Sequence, residues 1–124
     1  MAMSMAVEVN DQFVKFVITG EYNLISLLGI ATQIKSECDE LSRNRILIDM
    51  ATIEGDLPND DRIVLGKEVA RVFGAGYRIS IFAVAEKINN IGKAAANSRG
   101  AQMNVVDSYD EAVRWLLQKV PNLV

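Results

Sequence analysis

The sequence predicts an α/β fold: a mixed, mostly parallel five-stranded sheet with about four helices, in the order ββαβαβαβα. Three observations carry this. The run Arg45-Ile46-Leu47-Ile48-Asp49-Met50 is apolar but for one inner carboxylate, and it reads as a strand buried on both faces. Two short segments at the start are joined by a turn signal, which makes an antiparallel hairpin. From there to the end strand-like and helix-like segments alternate, as they do where crossover helices join parallel strands.

The elements follow in order. Met5 to Asn10 alternates Met5, Val7 and Val9 against Ala6, Glu8 and Asn10, the pattern of a half-buried strand. Asn10-Asp11 turns the chain, and Phe13 to Thr19 is the second strand, with Val14, Phe16 and Ile18 on one side. Asn23 caps a helix with apolar residues at Leu24, Leu27, Leu28, Ala31, Ile34, Cys38 and Leu41, a 3.6-residue stripe. The buried strand at 45–50 follows. Pro58-Asn59-Asp60-Asp61 opens the second helix, its acids near the positive end of the dipole, and Gly74-Ala75-Gly76 closes it. Tyr77 to Val84 is a strand, Glu86 to Asn97 a helix of small side chains, and Gln102 to Val106 the last strand. Ser108-Tyr109-Asp110-Glu111 fits a capping box, and the final helix buries Tyr109, Ala112, Val113, Leu116 and Val120, with Pro121 beyond.

Composition narrows the function classes. The 124 residues match one domain, 1–124, with no repeat, linker or low-complexity segment. A net charge of −3, with the 13 basic residues dispersed, argues against a general nucleic-acid binder but leaves room for a local basic pocket. Histidine is absent, which removes His-dependent triads and imidazole metal sites. The single Cys38 lies in the apolar stripe of the first helix and reads as a buried structural thiol. No segment reaches the roughly 20 apolar residues of a membrane span. The start Met1-Ala2-Met3-Ser4-Met5 lacks a basic signal-peptide region, so a cytoplasmic location is expected.

The element order, over essentially the whole chain, resembles the STAS superfamily and more narrowly its small soluble SpoIIAA-like branch, kin to the CRAL-TRIO lipid-binding domains. The residues that carry it are Arg45 to Met50, Asp61-Arg62 with Leu65-Gly66, Ile79-Ser80-Ile81-Phe82-Ala83-Val84, and Ala112-Val113-Arg114-Trp115-Leu116. The resemblance implies a non-enzymatic, STAS-like fold used for partner switching or for holding small apolar or nucleotide-like ligands. Anti-anti-sigma members of that family carry an Asp-Ser-Ser-Gly-like step after the buried strand, with a phosphorylated serine. The corresponding place here is Leu57-Pro58-Asn59, which has no hydroxyl; Thr52 is the one hydroxyl between Asp49 and the second helix.

The candidate site is therefore the loop after the buried strand, with Asp49, Thr52, Asp61 and Arg62 as ligand or partner contacts. No catalytic residue, metal or cofactor is assigned. Projected at about 100° per residue, Arg62 falls on the apolar side of the second helix, so it needs an anionic partner or a ligand unless it snorkels to solvent. Asp49 across the loop is the expected partner. Asp49 with Asp56, Asp60 and Asp61 mimics a metal site or the phospho-acceptor pocket of a response-regulator receiver. Receivers, however, need an acidic pair after the first strand and a lysine after the last, where this chain has Asn10-Asp11 and Val105-Val106-Asp107. A solvated loop and a favourable helix start explain these acids more simply.

Val64 lies on the charged face of the second helix and marks an interface residue. Ala94-Ala95-Ala96 lets the third helix approach the sheet closely, or leaves room for a ligand. Trp115 reads as a core-edge residue. The leading reading is a non-enzymatic module that binds a protein partner or a small apolar or anionic ligand, with a homodimer through the second helix as the expected association. The alternatives are a phospho-regulated switch through Thr52, Ser80 or Ser108, and a carboxylate/Arg-based enzyme.

Overall fold

The computed structural model describes residues 3–120. Its strands are β1 (Ser4–Val9), β2 (Val14–Thr19), β3 (Arg45–Asp49), β4 (Arg78–Phe82) and β5 (Gln102–Val106). The helices are α1 (Leu24–Leu41), α2 (Asn59–Phe73), α3 (Ile91–Asn97) and α4 (Tyr109–Leu116). The strands lie in the spatial order β1-β2-β3-β4-β5; β1 is antiparallel to β2 and every other pair is parallel. This is the predicted mixed sheet, with β3 at its centre.

Alternation along β3 divides the core. Ile46 and Ile48 point into the larger cluster, with Phe16, Ile18 and Ile79 from the sheet, Leu27, Ile30, Ile34 and Cys38 from α1, Phe73 from α2 and Ala96 from α3. Leu47 points the other way, into a smaller cluster with Phe13 and with Ala112 and Leu116 of α4. Both faces of β3 are thus covered, which is why its sequence shows no polar alternation.

Local chemistry sets the boundaries. Asn10 Oδ1 accepts from the amides of Gln12 and Phe13 and forms the hairpin turn. Asn23 caps α1 by accepting from Ser26 N at 2.9 Å, and Ser108 caps α4 by accepting from Glu111 N at 3.2 Å. Gly74, with φ +60°, closes α2.

Four expectations are corrected. The helix expected from Glu86 is split into a 3₁₀ turn at Ala85–Lys87 and α3 from Ile91. Asn89 makes the break: its Oδ1 accepts from Ile91 N while its Nδ2 donates to Asn59 Oδ1, so a side chain competes with the helical ladder. Leu41, the last residue of the stripe, is 41% exposed because Ser42 takes a left-handed conformation and ends α1 there. α4 stops at Leu116, leaving Val120 outside it and half-buried, while Pro121 lies outside the described residues. Tyr109 is exposed, its ring edge-on to Phe82 with the Lys15 ammonium above it.

The two edges of the sheet differ. On β5 the Asn97 carboxamide donates to Met103 O and accepts from Met103 N, both at 2.9 Å, as a neighbouring strand would. β1 is the terminal strand on the other side and is exposed along most of its length, Val7 and Val9 included.

Candidate functional site

In open α/β sheets ligands collect beyond the carboxyl ends of the parallel strands. Here that end is framed by the β3–α2 loop, the N-terminal turn of α2 and the segment after β4. Beneath it, between the helices and the sheet, lies a cavity of about 140 Å³. Its walls are almost wholly apolar, among them Ile34 of α1, Ile48 of β3, Val69 of α2, Ile81 of β4 and Met103 of β5.

α2 and α3 touch through small residues: a Cβ on Gly66 would stand 2.5 Å from Gly92 O and 2.8 Å from Ala95 Cβ. The alanine run therefore brings α3 against α2, with Ala96 fully buried and Ala94 exposed.

The polar lining residues are Arg62, Glu68, Lys87, Asn89 and Lys93. Arg62 donates Nε to Leu57 O at 2.8 Å, Lys87 donates to Ile53 O at 2.5 Å, and Lys93 donates to Asn104 Oδ1 at 3.3 Å. Glu68 accepts two hydrogen bonds of 2.8 Å from the Arg71 guanidinium, which hold its carboxyl below the usual carboxylate range. The lining offers no hydroxyl, thiol or imidazole.

The residues expected in the site fare differently. Arg62 lines the cavity, as its helical projection implied. It does not pair with Asp49, whose Oδ1 instead accepts from Ala51 N at 3.0 Å within its own loop. Asp61 accepts a 3.0 Å hydrogen bond from the Tyr22 hydroxyl, whose pKa is raised by burial and by that carboxylate. This contact ties α2 to the start of α1, beside the bridge between Glu21 and Glu54. Thr52 is exposed in the loop, and Val64 is 42% exposed on α2. Asp49, Asp56, Asp60 and Asp61 do not converge: no group of three acids or thiols is placed to hold a metal among the described residues.

Lys87 and Lys93 were missed by sequence reasoning. Each belongs to a segment whose fold depends on distant contacts, and neither stands in a motif. Cys38 is fully buried, and burial pushes its thiol pKa up to about 12. Ser80 is also fully buried, on the face opposite the cavity, and its hydroxyl finds no partner among the described residues.

No family model matches the chain, and no curated protein matches its sequence. Solved structures do match. An anti-sigma factor antagonist from Mycobacterium paratuberculosis superposes with a TM-score of 0.64 at 14% identity, over 94% of this chain and 96% of that one. An uncharacterised protein from Shewanella loihica with a SpoIIAA-like fold superposes with a TM-score of 0.56 at 16% identity, over 93% of this chain and 94% of that one. At such identities the likeness establishes the fold, which is SpoIIAA-like.

Proposed function

We propose that this SpoIIAA-like, STAS-type domain is a non-enzymatic binding module that takes a small apolar ligand at the carboxyl end of its sheet. The cavity of about 140 Å³ beneath the β3–α2 loop carries this reading. An apolar void of this size lined by aliphatic side chains stays dry and gains by accepting an apolar guest. Turnover is disfavoured because the lining supplies no hydroxyl, thiol or imidazole, and its one carboxylate is held by Arg71. Together with the absence of a membrane-spanning helix among the described residues, this suits a cytoplasmic carrier or sensor. Native mass spectrometry of the freshly purified protein should show a retained small molecule or uptake of one added. A cavity that takes up no apolar probe at millimolar concentration overturns the reading.

A protein partner is the second reading. It is favoured by the exposed Ile25 of α1, at 81%, with Ile63 and Val64 of α2 at 37% and 42%. The likeness to an anti-sigma factor antagonist supports partner binding as well. If the partner is a second copy, sedimentation at micromolar concentration shows a dimer that Val64→Glu weakens, because a carboxylate at a desolvated contact is costly. A monomer removes the self-association.

A further inference from the structure

We infer that the ligand is a small monoanion: an apolar body about the size of a benzene ring carrying one carboxylate, held by Arg62, Lys87 and Lys93. This rests on the cavity as a binding site and names what it selects. Two observations carry it.

The first is unspent charge. The three cationic residues come from separate segments, α2, the turn after β4 and α3, and all line the same apolar cavity. Each donates only to a neutral oxygen: a carbonyl for Arg62 and Lys87, a side-chain amide for Lys93. None belongs to an ion pair among the described residues. The one acid in the lining is occupied by Arg71 from outside it. In a chain of net charge −3, this leaves a locally positive rim over an apolar interior. An anion near low-dielectric walls is attracted far more strongly than in bulk water. The guanidinium and ammonium groups match a carboxylate in geometry and in hydrogen-bond sense.

The second is size. A cavity of about 140 Å³ is close to the roughly 150 Å³ apolar cavity that accommodates benzene. A ring or a branched chain of about six carbons fills it. A long acyl chain exceeds that volume, and the close α2–α3 contact at Gly66 gives it no added room on that side.

The test uses the full chain and calorimetric titration or ligand-observed NMR, with phenylacetate, its neutral counterpart phenylacetamide, and palmitate. The wild type should bind phenylacetate about tenfold more tightly than the amide, and the advantage should shrink as salt rises. Lys87→Met combined with Arg62→Met should remove that advantage and leave amide binding in place, while Lys119→Met, an exposed cation away from the lining, should change nothing. Lys93→Met alone should give a partial loss if the double variant does not fold. Ala31→Leu, which fills the cavity from α1, should abolish both probes.

Equal affinity for acid and amide, both lost in Ala31→Leu, overturns the anion site and leaves the cavity reading intact. Palmitate binding far more tightly than phenylacetate overturns the size argument. Failure of both small probes to bind overturns the cavity reading and the anion site with it.

Discussion

The two ends of the parallel sheet each gather cations, and they use them in opposite ways. At the amino end Arg45 and Arg78 begin β3 and β4 and reach the last turn of α4. Arg78 is 6% exposed, lies 3.6 Å from the Trp115 ring centre, and donates to Trp115 O through Nε and Nη2 and to Gln102 and Gln118. Arg45 donates to Leu116 O and Gln118 O. A helix ends there with unpaired carbonyls and the negative pole of its dipole, so the guanidiniums find in the backbone the acceptors and the partial charge they need. Burial and the neighbouring Arg45 lower the Arg78 pKa. At the carboxyl end Arg62, Lys87 and Lys93 each hold one neutral oxygen beside an empty apolar space. The cations at the amino end are consumed by the fold, whereas those beside the cavity are left over, and on the proposed reading they serve recognition.

The contrast breaks most readily at Arg78. Arg78→Ala should cost about 3 kcal/mol in chemical denaturation, since it strips the α4 terminus of its guanidinium donor and Trp115 of its stacking partner. Arg62→Ala should stay within about 0.5 kcal/mol; comparable losses at both positions would erase the distinction. Gly66→Ala should cost about 2 kcal/mol, because the new methyl meets Gly92 O and Ala95 and must force α3 from α2. An unchanged melting temperature would show that the contact has slack.

Ser80→Ala should be neutral or stabilising by up to about 1 kcal/mol, because it deletes a buried hydroxyl that has no partner among the described residues. A clear loss would reveal a hidden acceptor. The smallest effect concerns Asp39, exposed on α1, where Lys35 and then Tyr77 hold its carboxyl below the usual range by hydrogen bonding. A folded pKa below the unfolded one gives stability that is present above the ordinary carboxylate range and is lost as pH falls through the lowered value. Asp39→Asn should slightly flatten the acid limb of a plot of melting temperature against pH; an unchanged limb refutes this.

Much of this architecture was legible because local signals agreed with the final packing. The stripe from Leu24 to Cys38, the apolar β3 and the Asn23 and Ser108 caps each read correctly without a neighbour. The segment from Glu86 to Asn90 did not, because its break depends on Asn89 reaching Asn59 across the site. The candidate site shows the same division. Helical projection places Arg62 toward the interior, but it cannot say that Asp49 folds back onto Ala51. Nor can it say that Lys87 and Lys93, from segments far away in the chain, meet Arg62 around one cavity. Charge that is close in space and remote in sequence leaves no period and no motif.

The Asn97 carboxamide across Met103 has a consequence for assembly. A sheet with two bare margins can be stacked side by side without limit, each copy templating the next, which is the geometry of fibres. Here one margin is stoppered at its second residue by a side chain that impersonates the missing strand. Addition there would have to displace the carboxamide, which leaves β1, exposed along most of its length, as the margin more open to an added strand. One asparagine thereby denies an incoming strand a pair of backbone groups it would need on that margin.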